Sequence, residues 1–209
     1  MRGKGTKIAM IDNAYNELVN KCKECAKCEL AKTRTNVVVG VGSVPCDLML
    51  IGEAPGEQED LQGEPFVGKA GKLLDQILAS VGFSRTENIY IANTVKCRPP
   101  GNRNPNPDEI NACHPWLEEQ IKLVQPKIVL FCGSVAMRMA FPDNKEGITK
   151  QRGKWLKWQD IDTMIVFHPS YLLRNQSRAV GSPKWNTWQD FKEIRNAWEF
   201  YQKVAPPVP

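Results

Sequence analysis

The sequence predicts an α/β domain built on a parallel sheet, and three observations carry that expectation. Four short apolar runs, residues 48–52, 89–92, 128–131 and 164–167, show no polar alternation, as expected of strands covered on both faces. Helix-like segments alternate with them, which is the order of a parallel sheet. Pro- and Gly-rich segments fall at the ends of these runs and none divides the chain, so residues 1–209 form one unit.

In chain order, LMLIG at 48–52 is the first strand, and a helix follows over 69–81. The run IYIA at 89–92 is the second strand. A helix over 108–124 leads into IVLF at 128–131, and a short helix over 135–141 leaves it. MIVF at 164–167 is the fourth strand, and an amphipathic helix over about 185–201 closes the chain. The basic, Gly-containing stretch 1–9 and APPVP at 205–209 are expected to be loose tails.

The 209 residues are 42% hydrophobic, enough for a sizeable core, and the net charge of +5 is only a mild sign of a polyanionic partner. No stretch approaches eighteen consecutive apolar residues, so no membrane span is expected. The chain starts without a signal peptide and has seven cysteines, an odd number. A reducing cytoplasm, not a disulfide framework, is therefore the expectation.

Four of those cysteines are spaced as ligands for one metal centre. Cys25 and Cys28 form C-x2-C; Cys97 and Cys113 follow as C-x15-C after 68 intervening residues. Folding must bring the pairs together, and both iron–sulfur and zinc suit the spacing. Cys22, three residues before Cys25, leaves Cys22/Cys25 open as an alternative first pair.

In an open parallel sheet, ligands bind beyond the carboxyl ends of the strands, which directs attention to residues 52–60, 93–106 and 168–175. Gly52-Glu53-Ala54-Pro55-Gly56 makes a tight turn followed by Glu57, Glu59 and Asp60. Its acidity and the lack of either glycine-rich nucleotide pattern argue against a phosphate cradle. Phe66 sits in a constrained loop before small residues at 68, 70 and 71, and is either a stacking ring or core. Asn93 offers the donor and acceptor needed to read a pyrimidine edge, or caps a turn. Lys96, Arg98 and Arg103 surround Cys97 in what reads as a metal-braced, phosphate-contacting loop. His168 stands at the end of the fourth strand, before Tyr171-Leu172-Leu173-Arg174, an apolar tip shaped like a wedge for a base stack or, alternatively, a buried leucine pair. Tryptophans 155, 158, 185, 188 and 198 lie among basic residues, a pattern that suits single-stranded nucleic acid, although core packing is expected for most.

Together, GEAPGEQED, EPFVGKAGKLLD, NTVKCRPPGNRNP and HPSYLLRN resemble the family 4 uracil-DNA glycosylases, the iron–sulfur branch of that superfamily, over about residues 22–200. The resemblance implies a three-layer α/β/α fold with a central four-stranded parallel sheet. It also implies a structural 4Fe-4S cluster and hydrolysis of the uracil–deoxyribose bond. Matched position by position, Cys25, Cys28, Cys97 and Cys113 are the cluster ligands. Gly52, Glu53, Ala54, Glu59, Phe66, Asn93 and His168 form the uracil pocket, with Glu53 and His168 catalytic. Arg98, Arg103 and Tyr171 to Arg174 contact DNA. Cys28 is followed by Glu-Leu-Ala and then Arg34, as in the family's C-x2-C-x-L…R pattern, which favours Cys25/Cys28 as the first pair. Ala54 replaces the acidic water-activating residue of the best-studied branch, which leaves the general base open. Glu59 or Asp60 is the expected barrier to thymine. The substrate is uracil-containing DNA, single- or double-stranded, and the chain is expected to act as a monomer. No segment identifies a sliding-clamp or other repair-protein contact.

A family 5 relative of broader base range, a product-trapping relative and a non-enzymatic metal-containing nucleic-acid module are the competing readings. Glu53 points away from family 5, and the residues after Arg98 lack the His-bearing insertion of the trapping branch. A pocket combining Phe66, Asn93 and His168 argues against mere binding.

Overall fold

The computed structural model describes the backbone of residues 2–204 and the side chains of residues 9–204. In order, the elements are α1 (Arg2–Lys23), β1 (Leu48–Gly52), α2 (Glu57–Gln62), α3 (Lys69–Ser80), β2 (Tyr90–Asn93), α4 (Pro107–Val124), β3 (Ile128–Cys132), α5 (Ser134–Ala140), α6 (Ile148–Gln151), β4 (Trp155–Trp158), β5 (Ile161–Val166), α7 (Pro169–Arg174) and α8 (Pro183–Val204). The stretch 1–9, expected as a loose tail, is helical from Arg2 onward. The other expected tail, 205–209, lies outside the described residues.

The sheet has five strands in the order β2-β1-β3-β5-β4, with the first four parallel, as expected. The fifth, β4, pairs antiparallel with β5 at the edge and corrects the expected count of four. It joins β5 through Gln159 and Asp160, both with positive φ (50° and 63°), the backbone of a two-residue hairpin turn. Such turns are normally announced by Asn-Gly or Asp-Gly, and Gln-Asp hid this one. An edge strand also lacks the continuous burial by which the other four were recognised, for Trp155 and Lys157 are exposed.

Two cores cover the sheet. Met49, Ile51, Val129 and Phe131 face Leu117, Ile121 and Val124 of α4 and Ala136 and Met137 of α5. Their neighbours Leu48, Leu50, Ile128 and Leu130 face Leu74 and Leu78 of α3 and Phe191 and Ile194 of α8. Alternate residues of one strand thus serve opposite cores, which explains the absence of polar alternation and establishes the three-layer arrangement. Each fully buried leucine here contributes about 1.5–3 kcal/mol of transfer free energy. The tryptophans follow the expected bias to packing in part: Trp158 meets Phe131 edge-on at 5.1 Å and Trp198 meets Phe83 at 5.6 Å, while Trp188 is exposed. A third, smaller core gathers Leu30, Val37, Val39 and Val95 around Cys22, Cys97 and Cys113, where α1 packs on α4.

Candidate active site

The parallel strands deliver their carboxyl ends to one edge, where the following loops enclose a cavity of about 800 Å3. Glu53 and Ala54 leave β1, Asn93 ends β2, Gly133 and Ser134 follow β3, and Phe167 and His168 follow β5. The cavity straddles the boundary between β1 and β3, where the chain reverses its direction of winding and open α/β sheets form their crevice.

Asn93 is only 2% exposed, yet its Oδ1 has no hydrogen-bond partner among the described residues. Leaving a buried polar atom unpaired costs about 1–3 kcal/mol, so its place on the cavity wall reads as a binding group held ready. Beside it stands the Phe66 ring. A Cβ on Gly52 would overlap both the Asn93 amide oxygen and that ring, so only glycine lets β1 pass behind them. Phe66 has a positive φ of 54°, unusual for an aromatic residue, and its carbonyl occupies the space that any side chain at Gly71 would need.

The strained Phe66 loop is clamped by a residue that sequence reasoning missed. Arg85 donates from Nη1 to the carbonyl of Pro65 (2.8 Å) and from Nη2 to that of Phe66 (2.8 Å). It also pairs with Asp75 (2.7 Å) and Glu64 (3.0 Å). A lone arginine in a turn carries no sequence signal for such a role.

Glu59 lines the cavity, and its carboxylate is fully engaged in joining two loops, accepting from the backbone N–H of Gly56 (3.1 Å), Val67 (2.9 Å) and Gly68 (2.9 Å). Asp60, the alternative to it, is buried beneath the N–H groups of Thr35 and Asn36, away from the cavity lining. Glu53 lines the cavity too. Its carboxyl is pushed above the usual range by desolvation, with Arg138 pulling the other way.

His168 caps α7, and its Nδ1 accepts from the Ser170 N–H (3.2 Å) with the Ser170 hydroxyl 2.8 Å away. An Nδ1 that accepts a backbone N–H is unprotonated, so the neutral ring carries its proton on Nε2. Burial lowers its pKa from 6.5 to about 4; Arg174 acts in the same direction and Glu59 against it. The ring lies 5.6 Å from that of Phe66 at 34°.

The segment after His168 differs from the expected wedge. It is a helix, α7, in which Leu172 is buried beside α3 instead of standing free. A leucine at that position anchors the helix. Leu173 is the exposed member, Tyr171 and Arg174 line the cavity, and Tyr171 packs on Phe167 at 5.0 Å. His-Pro-Ser, a cap followed by proline at the first helical position, was the signal for this helix.

The basic loop also divides. Lys96 is 1% exposed and therefore is not a phosphate contact. Arg103 forks onto Glu109 (2.8 and 2.6 Å), whose carboxylate also caps α4 through the Asn106 N–H, so this guanidinium braces the loop. Arg98 bonds Asn102 (2.7 Å) and lies 3.8 Å from Glu57.

Cys22, Cys25, Cys28, Cys97 and Cys113 line one small cavity between the N-terminal segment, α4 and the Cys97 loop. Trp116 Nε1 donates to Cys25 Sγ (3.2 Å), Arg34 Nη1 to Cys97 Sγ (3.3 Å) and the Lys96 N–H to Cys113 Sγ (3.2 Å). Cys22 accepts no such bond among the described residues, and burial pushes its thiol up to about 12. Among the described residues no three His, Cys, Asp or Glu side chains are set for a single metal ion.

Residues 39–192 match the model of the uracil DNA glycosylase superfamily. A Type-4 uracil-DNA glycosylase from Thermotoga maritima is 46% identical over 77% of this chain and 83% of its own length. The chain belongs to this family. Another Type-4 uracil-DNA glycosylase, from Sulfurisphaera tokodaii, is 42% identical over 82% of this chain and 79% of its own. A Type-5 uracil-DNA glycosylase from Pyrobaculum aerophilum is 29% identical over 78% of this chain and 86% of its own length. Within the type-4 family framework the whole cavity lining lies inside the superfamily match, whereas Cys22, Cys25 and Cys28 precede it. No described helix is long and apolar enough to cross a membrane.

Proposed function

We propose that this chain excises uracil from DNA by flipping the nucleotide into the cavity and hydrolysing its N-glycosidic bond, leaving free uracil and an abasic site. The unpaired Oδ1 of Asn93 beside the Phe66 ring carries this reading, because together these side chains supply a polar reader and a stacking face for one flat base. Flipping costs a few kcal/mol of unstacking and unpairing. Leu173, exposed on α7, fills the vacated stack in this reading, and the exposed Arg174 holds a phosphate. Once flipped, uracil stacks on Phe66 and pairs its edge with Asn93. Glu59, immobilised by three N–H donors, presents a rigid wall against the methyl group of thymine.

Cleavage leaves negative charge on the departing base and positive charge on the sugar. The neutral His168 donates from Nε2 to uracil O2, where the negative charge gathers. Glu53 orients the attacking water or stabilises the cationic sugar. An excision assay on single- and double-stranded DNA carrying uracil, hypoxanthine or ethenocytosine tests the reading: release of uracil alone is expected, and efficient release of the others would favour a broad-range relative.

Removing the Arg85 guanidinium frees two carbonyls and relaxes Phe66. Arg85→Ala is expected to lower stability by about 1–3 kcal/mol and to raise KM for uracil-containing DNA more than it lowers kcat. Thermal melts and steady-state kinetics check both; an unchanged KM would mean that the clamp does not hold the stacking ring.

The cysteine set fits an iron–sulfur cluster. Its donors are all thiols, N–H groups already point at three of the sulfurs, and a buried ammonium that has no carboxylate partner among the described residues lies among them. Cys25, Cys28, Cys97 and Cys113 would hold a 4Fe-4S cluster, which would join the N-terminal segment to the Asn93–Arg103 loop as a structural brace. Cys97→Ala or Cys113→Ala is expected to abolish the visible iron–sulfur absorption and lower the melting temperature, while Cys22→Ser retains iron. Iron lost from Cys22→Ser and kept in Cys28→Ser would make Cys22/Cys25 the first pair.

A further inference from the structure

Lys96 is the least expected group in the molecule: a lysine 1% exposed, among the largest fully buried side chains. It lines the same small cavity as Cys22, Cys97 and Cys113, and it forms no ion pair with a carboxylate among the described residues. A buried charge is retained when something of opposite sign compensates it. Thiols do not, but thiolates ligating a cluster would. At the same time Lys96 faces the other site. Its Nζ donates to the main-chain carbonyl of Asn93 (2.7 Å), while its own N–H donates to Cys113 Sγ (3.2 Å). One residue therefore touches both the cysteine set and the residue whose amide lines the base pocket.

We propose that Lys96 is a positioning residue that couples the two sites: its buried ammonium is the counter-charge of the thiolate-bound cluster, and its bond to the Asn93 carbonyl holds the base-reading amide in register. This rests on the cluster reading above. The strand end explains why a tether is useful. Asn93 is the last residue of β2, its side-chain Oδ1 has no hydrogen bond among the described residues, and of the backbone N–H groups just beyond it only those of Thr94 and Val95 still bond to the residues at the end of β1. A side chain reaching back three residues fixes that end, and a compensating charge lets the ammonium stay there.

The test uses the full-length protein, first establishing on the wild type that iron and a redox-active chromophore are present. Their absence would overturn the cluster reading and this coupling together, before any variant is made. Lys96→Met keeps length and apolar packing but removes the charge and the donor. Its cluster is expected to shift to a more negative reduction potential, since the oxidised form gains relative to the reduced one. Its affinity for free uracil, measured as product inhibition, should fall about tenfold, the consequence of one misheld hydrogen bond. Lys96→Arg, which keeps the charge, should hold the potential near that of the wild type. If Lys96→Met binds iron normally with potential and uracil affinity both unchanged, Lys96 is packing and the proposal fails. If neither variant retains iron, charge is not what the site requires, and the proposal fails as well.

Discussion

Replacing His168 by alanine is expected to slow single-turnover excision of uracil by about 10²–10³-fold, the usual cost of removing one donor to a developing oxyanion. Binding of uracil-containing DNA should change much less, because the Nε2–H bond to uracil O2 strengthens only as charge reaches the base. The structure makes this side chain a neutral imidazole: Nδ1 accepts the Ser170 N–H, which leaves the proton on Nε2, and burial lowers the pKa to about 4. The pH profile should show it. The kcat/KM curve is expected to lack a His168 limb near the 6.5 of a free imidazole and to lose activity through His168 only towards pH 4. Stability has the same sign. As pH falls from 6.5 towards 4 the unfolded chain takes up a proton that the native ring refuses, so stability is full above that window and declines within it. Near-wild-type excision by His168→Ala, or a limb near 6.5 in the wild type that this variant lacks, would remove His168 from the role of leaving-group donor.

Asn93→Asp is expected to give the second large effect, on selectivity. The amide presents both a donor and an acceptor, and uracil has an acceptor at position 4 where cytosine has a donor. An ionised carboxylate offers acceptors only, so it accepts from uracil N3–H but opposes O4, and accepts from the cytosine amino group but opposes N3, which removes the amide's built-in preference for uracil. One mispaired contact costs about 1–3 kcal/mol, and the preference for uracil over cytosine should fall roughly ten- to hundredfold. Asn93→Ala, which offers neither group, should lower uracil excision without favouring cytosine. Parallel single-turnover assays on the two bases decide the matter; an unchanged ratio in Asn93→Asp would mean that the base is read elsewhere.

The site was legible where a residue's chemistry and its place at a strand end coincide. Glu53, Phe66, Asn93 and His168 each follow or finish an apolar run, or stand in a glycine-marked loop, and all four line the same cavity. The residues that hold them were not legible. Arg85 is an arginine in a turn, and Lys96 read as one more basic residue in a basic loop; only burial distinguishes either from a solvated cation. Leu172 and Arg103 have scaffold contacts that the sequence did not show, for the leucine is buried in α7 and the guanidinium forks onto Glu109 of α4. The edge strand β4 escaped because burial on both faces marks a central strand and not an edge.

The sequence by itself determined the three-layer α/β class, the family and the ordered pocket residues, because buried strands impose continuous apolar runs and the motifs sit where the sheet must open. Only the tertiary structure decided which cations serve the scaffold, which leucine faces outward, and that five cysteines meet in one place with a lysine buried among them. Those outcomes depend on contacts between residues far apart in the chain, where burial and the pairing of charge are set by what folding brings near.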